Sequence, residues 1–424
     1  MTPRWATRAL ACLAGLSLPI LALSACGGSS DSSGSRELTW FVAIQPGGSI
    51  EKVAETCSKQ SDGDYVVTPE FLPTDASQQR EQLVRRLGAE DPSIDIIGMD
   101  VIWTGEFANA GWVEEWKGPL KKQVTENVFP NVIETASFEG GLYAAPFNTN
   151  TQLLWYRKDL VKKPPTTWDQ MIDQAEGLKE AGTIQVQADR YEGFTVWANA
   201  LIESAGTPVL SAPEKVDLEE GPTTKALEVM GRFANSSAAP PSLSTSDEDS
   251  ARLAFEGGES AFMTNYTFAY ASAQAEAPEI GKKMGFARFP RVDASKPSKP
   301  PLGGFNLAVS SFSENKDLAF DATACLAGKA SQLTAVELDG LPPSRSDLYT
   351  DKVVTKAYPG FAELVKESIE GAGPRPTTPA YQDVSLAIQR SLHPPDRIDP
   401  DDATSIYEEL KSNLEDAVKR EGLL

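Results

Sequence analysis

Between residues 37 and 98 the chain alternates short extended segments with amphipathic helical segments, and this order constrains the fold more than any other feature of the sequence. Apolar residues recur at helical spacing in 49–59 and 77–88. The extended segments between and around these helices are 37–44, 65–72 and 93–98. A β-α-β-α-β order is typical of an α/β domain, in which ligands bind at the carboxyl ends of the strands.

The rest of the chain also mixes helical and extended segments, and a length of 424 residues favours two domains. Helices are predicted at 168–181, 197–205, 223–234, 250–257 and 401–420, and strands at 142–146, 261–265 and 302–310. Turns or proline-rich breaks are predicted at 162–167, 296–301 and 341–343. We therefore expect an α/β protein throughout, without internal repeats.

The charge balance argues against a nucleic-acid partner. The sequence has 39 Lys and Arg residues against 60 Asp and Glu residues, which gives a formal net charge of −21. Binding to phosphates needs clustered cations, and so does docking by charge on anionic lipid. A partner of either kind is therefore not expected.

Few catalytic chemistries fit the composition, since the chain has one histidine, His393, in a His-Pro-Pro turn. Metal sites of the HExxH type and histidine zinc clusters are excluded, and a Ser-His-Asp triad would depend on this one residue. The sequence contains no P-loop, GxSxG or CxxC motif. We assign no catalytic residue, metal or cofactor, although a pair of glycosidase carboxylates stays open.

The N-terminus has the features of an export signal that ends in a lipidation site. Arg4 and Arg8 precede an apolar run over 9–25 that is too short to span a bilayer comfortably. The sequence Leu-Ser-Ala-Cys ending at Cys26 matches a bacterial lipobox, and a Gly/Ser tether follows. We expect removal of residues 1–25 and an acyl anchor on Cys26 at the extracytoplasmic face of the cell membrane. The alternative is an ordinary signal peptide with an incidental cysteine.

Two of the four cysteines would remain as free pairing partners after export. Cys12 leaves with the signal and Cys26 carries lipid, so Cys57 and Cys325 are left. An even set of thiols in an oxidising compartment predicts a Cys57–Cys325 disulfide. Two separately buried thiols are the alternative.

Polar residues near predicted strands are candidates for binding hydroxyl groups. Asp100 follows the strand at 93–98, where its carboxylate could accept hydrogen bonds from a sugar, but it could equally cap a helix. Asn148 and Asn150 can both donate and accept, which suits a polyol, although an Asx turn explains them as well.

Four further residues could complete such a site. Gly304 and Phe305 offer close backbone approach beside an aromatic face, or a β-bulge before a buried strand. Tyr266 could stack on a pyranose ring or belong to the core. Arg375, between two prolines, could reach a cleft, although a lone arginine is more often a surface charge.

Together with the lipobox, several motifs resemble the extracytoplasmic sugar-binding lipoproteins of ABC importers. The resemblance is strongest to the trehalose-binding lipoproteins of actinobacteria and, more broadly, to the trehalose/maltose-binding proteins. The motifs that carry the resemblance are SIDIIGMDVIWTGEFANAGW, GLYAAPFNTNTQLLWYRKDL, ARLAFEGGESAFMTNY and LGGFNLAVS. The second of these four motifs is the most specific. The contexts of Cys57 and Cys325, VAETC and ATACL, also resemble the disulfide positions of that family.

The resemblance implies an α/β, two-lobed periplasmic-binding-protein-like fold of type II, in which each lobe is a sheet flanked by helices and the ligand cleft lies between the lobes. After the signal (1–25) and the tether (26–36), lobe 1 would comprise 37–148 plus 302–341, and lobe 2 would comprise 149–301 plus 342–424. The crossovers would lie near Asn148, Pro301 and Leu341, at predicted turns. Both remaining cysteines would then fall in lobe 1.

The resemblance also assigns binding roles by motif position. Asp100 would accept hydrogen bonds from sugar hydroxyls, and Glu248 would contact the sugar. Tyr266 lies at the position where a stacking tryptophan is expected. The full set of ligand-binding positions that it implies is Gln45, Gln79, Asp100, Asn148, Asn150, Glu248, Tyr266, Gly304, Phe305 and Arg375.

The function implied is that of a monomeric binding lipoprotein, not an enzyme, which captures a disaccharide and delivers it to an ABC permease. Trehalose is the first ligand to test. Maltose, a maltodextrin or another oligosaccharide is the main alternative. A secreted glycosidase and a surface adhesion lipoprotein without a small ligand are the others.

Overall fold

The computed structural model describes residues 35–73 and 76–419. The predicted signal peptide, the predicted lipidation site Cys26 and the tether as far as residue 34 lie outside the described residues. Within the described ranges, no helix is both long enough and apolar enough to cross a bilayer.

The N-terminal β-α-β-α-β order is confirmed, with bounds close to those predicted. Its elements are β1 (Arg36–Ala43), α1 (Ser49–Gln60), β2 (Tyr65–Leu72), α2 (Ala76–Gly88) and β3 (Ile96–Asp100). β1 pairs in parallel with both β2 and β3, as expected for strands joined by crossover helices. The carboxyl ends of these strands therefore lie at the same edge of the sheet.

The remaining elements continue the mixed α/β pattern. The strands are β4 (Ser137–Phe138), β5 (Gly141–Leu142), β6 (Ala145–Arg157), β7 (Thr183–Gln185), β8 (Leu210–Ala212), β9 (Lys215–Val216), β10 (Ser260–Tyr266), β11 (Met284–Ala287), β12 (Pro301–Val309) and β13 (Gly373–Pro374). The helices are α3 (Thr104–Asn109), α4 (Gly118–Thr125), α5 (Pro130–Thr135), α6 (Trp168–Gly177), α7 (Glu192–Ala205), α8 (Glu220–Ala234), α9 (Glu248–Glu256), α10 (Phe268–Glu276), α11 (Pro278–Gly281), α12 (Lys316–Leu326), α13 (Lys329–Asp339), α14 (Lys352–Ala357), α15 (Ala362–Glu370), α16 (Tyr381–Leu392) and α17 (Ala403–Lys419).

The central strands form one hydrogen-bonded path in the order β2-β1-β3-β12-β6-β10-β7. β12 is antiparallel to both of its neighbours, β3 and β6. β6 is long enough to pair with β12 near its start and with β10 near its end. The strands β6 and β12 therefore connect the two halves of the sheet.

Hydrophobic packing forms three clusters of buried residues around this sheet. One combines residues of 38–147 with residues of 307–335 and Tyr381, and a second combines residues of 154–292 with residues of 384–418. The third combines residues of 128–132, 153–155, 251–302 and 336–372. The first and the third cluster cross the predicted lobe boundary, and the boundary itself stays a prediction.

The predicted disulfide joins helix α1 to helix α12. Cys57 and Cys325 are bonded, with their Cα atoms 5.9 Å apart. Both helices lie against the first cluster, to which Cys57 belongs and against which Cys325 packs. The bond therefore ties an early segment to a late one within a single core.

Of the turns predicted at the crossovers, the one near Asn148 is wrong, whereas the break at 296–301 directly precedes strand β12. Asn148 lies inside the continuous strand β6, where residues on both faces are buried, and Pro301 is the first residue of β12. The break itself is confirmed, because residues 296–300 belong to no helix or strand, and a proline is tolerated at the first position of the strand that follows. Near Leu341, helix α13 ends, and Gly340 adopts a left-handed conformation there.

Candidate functional site

A cavity of about 860 Å³, which we call the central cavity, lies where the ends of the central strands meet the ends of several helices. Most of the predicted binding residues line it. These are Gln45, Asp100, Asn148, Asn150, Glu248, Tyr266, Gly304, Phe305 and Arg375. Gln79 is not among the lining residues, because its side chain is buried on α2; Ala76 and Ser77 at the start of that helix line the cavity instead.

One wall of the central cavity is built by sheet register. Phe305 on β12 lies opposite Asp100, the last residue of β3, and opposite Asn148 on β6. A carboxylate, an aromatic ring and an amide therefore lie side by side on three neighbouring strands. The pairing of β12 with β6 shifts register directly after Phe305, where Phe147 of β6 has no partner on β12, so the irregularity lies in β6 and not at the glycines of β12.

Gly304 is required by the same wall. Its φ angle is 128°, which side-chain-bearing residues rarely adopt, and a Cβ atom there would collide with the carbonyl oxygen of Asn148. Its own carbonyl accepts a hydrogen bond of 3.3 Å from the amide of Val101, the residue after Asp100. The glycine thus allows β12 to approach β6 closely at the cavity.

Arg375 is buried in the wall between two carboxylates. Its Nη1 lies 2.7 Å from Oε1 of Glu192, and its Nη2 lies 3.4 Å from Oδ1 of Asp100. Only 6% of the Arg375 side chain is exposed, so it is not a surface charge. Tyr381 and Ser385 donate to the same Glu192 carboxylate. We call Asp100, Glu192, Arg375, Tyr381 and Ser385 the Arg375 network.

Asp100 is held as a hydrogen-bond acceptor that still faces the cavity. Its Oδ1 accepts a hydrogen bond of 3.1 Å from the amide of Ile102, and 22% of its side chain is exposed. Burial raises the pKa of Asp100, while the nearby Arg375 acts in the opposite direction. Asp100 is the last residue of β3. It does not cap helix α3, because that helix begins after Trp103.

Glu248 is a second carboxylate that lines the cavity. Its neighbour Asp247 caps helix α9 through a reciprocal pair of hydrogen bonds with Ser250, so Glu248 is not needed as the cap. Its Oε2 accepts a hydrogen bond of 2.5 Å from the hydroxyl of Tyr191. Burial raises the pKa of Glu248, and the hydrogen bond from Tyr191 opposes that effect.

Tyrosine and phenylalanine rings supply the aromatic part of the lining. Tyr266 is the last residue of β10 and is half-buried, and Phe268 and Phe305 line the cavity with it. Burial, followed by the charge of Glu248, raises the pKa of Tyr266, so its hydroxyl stays protonated. Tyr266 can therefore offer a ring face and a hydrogen-bond donor at the same time.

Some polar atoms of the site are buried without a hydrogen-bond partner among the residues that the structure describes. They include Nε of Arg375 and Oδ1 of Asn148. The described residues contain no group of three or more His, Cys, Asp or Glu side chains that could hold a metal ion. The cavity thus combines carboxylates, amides, one guanidinium and aromatic rings, which suits an uncharged polyhydroxylated ligand.

Sequence reasoning missed Tyr191 and Glu192, which line the cavity at the start of α7. That helix was predicted to begin at residue 197, so an acidic residue in its first turn escaped notice. An acid at this position is favoured by the helix dipole, and this signal could have moved the predicted start to Glu192.

A sequence profile of the family of bacterial extracellular solute-binding proteins matches residues 44–333. Two curated relatives have similar coverage. A probable ABC transporter-binding protein of Deinococcus radiodurans is 29% identical over 340 residues, which cover 76% of this chain and 80% of the relative. A diacetylchitobiose-binding protein of Streptomyces coelicolor is 24% identical over 329 residues, which cover 74% of this chain and 76% of the relative.

Among solved structures, maltose-bound T. maritima MalE3 superimposes with a TM-score of 0.79 at 26% identity. The alignment covers 90% of this chain and 99% of that one. This likeness confirms the predicted α/β fold of type II.

Proposed function

The chain belongs to the family of bacterial extracellular solute-binding proteins, and we propose that it captures a disaccharide, with trehalose as the first candidate, for delivery to an ABC permease. As a member of a family of solute receptors it is not an enzyme, which sets aside a secreted glycosidase. The observation that carries the proposed ligand class is the row of Asp100, Phe305 and Asn148 across three strands in one cavity.

The chemistry of the cavity supports a sugar as the solute. Carboxylates and amides accept from or donate to hydroxyl groups, and ring faces pack against the C–H faces of a pyranose. The cavity volume of about 860 Å³ falls within the range of roughly 300–1,000 Å³ that is usual for small-ligand sites. A buried hydroxyl left unpaired costs about 1–3 kcal/mol, so the polar residues can separate disaccharides by linkage.

Trehalose is preferred because the motifs around Asn148, Glu248 and Gly304 resemble those of trehalose-binding lipoproteins. Maltose or a maltodextrin is the second candidate, favoured by the likeness to the maltose-bound structure. In either case we propose that a monomer closes its two lobes, 37–148 plus 302–341 and 149–301 plus 342–424, over the sugar. Strands β6 and β12 would act as the crossovers.

Calorimetric titration with trehalose, maltose, cellobiose and maltotriose tests the ligand. We expect trehalose to bind and, at 100 times its Kd, to stabilise the protein by about 2.7 kcal/mol. Radii of gyration from X-ray scattering should fall with the same sugar if the lobes close. Binding of maltose alone would replace the preferred ligand with the second candidate. Absence of heat and of stabilisation with every sugar would favour an adhesion protein and contradict the proposal.

We also propose that a thioether-linked lipid on Cys26 anchors the protein at the extracytoplasmic face of the cell membrane, as the Leu-Ser-Ala-Cys motif indicates. Full-length chain made in a bacterial host with radiolabelled palmitate should carry label and sediment with membranes. Cys26→Ser should lose both. Cys12→Ser, inside the predicted signal, is the matched control and should keep both. Equal labelling of all three proteins would contradict the anchor.

A further inference from the structure

Arg375 is shared unequally by two carboxylates of the Arg375 network. Its Nη1 is 2.7 Å from Glu192, whereas its Nη2 is 3.4 Å from Asp100. Glu192 therefore makes the closer ion pair, and Asp100 makes a loose one. A guanidinium can instead place two parallel N–H groups on one carboxylate, so this arrangement is one of two that the side chain could adopt.

Glu192 is held by two hydrogen-bond donors in addition to Arg375. Tyr381 donates to its Oε1, and Ser385 donates to its Oε2 at 2.7 Å. Ser385 is in turn hydrogen-bonded at 2.8 Å to the hydroxyl of Thr195, on the same helix as Glu192. Helices α7 and α16 thus hold the Glu192 carboxylate in one orientation. Asp100 has a single backbone donor, Ile102, and keeps part of its surface in the cavity.

The backbone around Arg375 has little freedom of its own. Pro374 and Pro376 flank the residue, and Pro374 lies in β13, paired with Leu302 of β12. Rotation of the side chain is then the main freedom left to Arg375. A buried cation must be paired, so the position of the Arg375 side chain depends on which carboxylate its guanidinium binds.

We infer that Glu192 is a positioning residue, which holds Arg375 against the cavity wall and so prevents it from closing on Asp100. Both Asp100 and Arg375 then stay available to the sugar, one as an acceptor and the other as a donor. Without Glu192, the guanidinium would turn to Asp100, and the two groups would occupy each other. This role rests on the proposed function, because it concerns the same cavity.

The test compares Glu192→Gln with Glu220→Gln, a matched change at the first residue of the neighbouring helix α8, outside the cavity. With the sugar that the wild type binds, Glu192→Gln should weaken affinity at least about tenfold. Arg375 and Asp100 would pair with each other, and the sugar would lose a hydrogen bond to one of these charged groups. Glu220→Gln should change affinity less than about twofold. In an Arg375→Lys background, Glu192→Gln should cost little, because lysine cannot make the two-nitrogen pair. An equal loss in both backgrounds would overturn the inference.

A crystal structure of ligand-free Glu192→Gln gives a readout that needs no sugar. We expect both terminal nitrogens of Arg375 on the Asp100 carboxylate, and an unmoved Arg375 would overturn the positioning role. Tyr381→Phe, which removes one donor to Glu192, should shift Arg375 the same way and replaces Glu192→Gln if that protein does not fold. If the wild type binds no sugar while Arg375 moves as expected, the proposed function fails and the positioning role stands.

Discussion

Replacing Arg375 with methionine is expected to lower the free energy of unfolding by about 3 kcal/mol, because removing one partner of a buried ion pair leaves the other uncompensated. The arginine side chain is 6% exposed, and Glu192 would lose the closer of the two ion pairs. Urea unfolding followed by circular dichroism measures this change. Sugar affinity should fall more than about 100-fold, since the guanidinium is the cation of the cavity wall and its donors would be lost.

Arg345→Met is the matched control for this substitution. The Arg345 side chain is 11% exposed and also pairs with two carboxylates, at 3.3 Å from Glu126 and 3.2 Å from Asp347, but it does not line the central cavity. It should cost some stability and leave the sugar Kd within about twofold. If Arg375→Met left both stability and affinity at wild-type values, the Arg375 network would have no role in folding or binding.

The elements that could be predicted from the sequence are those set by local periodicity. The apolar spacing of α1 and α2 and the alternation in β1 depend on neighbours a few residues away, and the structure reproduces them closely. Asp100 could be placed because it ends a short apolar strand, where ligand loops gather in α/β folds. Gly304 and Phe305 could be singled out because a glycine beside an aromatic residue allows close backbone approach, and both residues line the cavity.

The parts of the site that could not be predicted depend on contacts between distant segments. The role of Glu192 comes from Tyr381 and Ser385, which lie about 190 residues further along and reach it only through the packing of α7 and α16. The asparagine at 148 suggested a turn, yet pairing with β12 and the burial of both faces keep the strand extended. In both cases tertiary packing decided the outcome against the local signal.

Replacing Asp100 with alanine is expected to weaken sugar binding about 100-fold or more while leaving the stability of the free protein nearly unchanged. Each hydrogen bond from a sugar hydroxyl to a carboxylate contributes about 1.5–3 kcal/mol, and about 1.4 kcal/mol corresponds to tenfold in affinity. Arg375 would keep its closer partner Glu192 in this variant, which is why the fold should tolerate the change. Calorimetry gives the affinity, and thermal unfolding of the ligand-free protein gives the stability.

The pH dependence of binding supplies a second, signed test of Asp100. Burial raises the pKa of this carboxyl, so on acidification it takes up a proton, and loses acceptor strength, at a higher pH than an ordinary aspartate. Wild-type affinity should therefore fall as the pH drops through that raised pKa, and this loss should be absent in Asp100→Ala. In the ligand-free protein the free energy of unfolding changes with pH in the opposite sense. It should fall as the pH rises through the folded pKa of Asp100, because the buried carboxyl is then ionised.

Asp95→Ala provides the matched control, because Asp95 directly precedes the same strand but serves the core. Its buried carboxylate accepts from the amide of Thr39 at 2.9 Å and from the hydroxyl of Ser313. Its loss leaves two donors unsatisfied, so stability should fall by about 1–3 kcal/mol while the sugar Kd stays within about threefold. The opposite pattern, with affinity surviving in Asp100→Ala and lost in Asp95→Ala, would show that the sugar does not bind at the carboxyl end of β3.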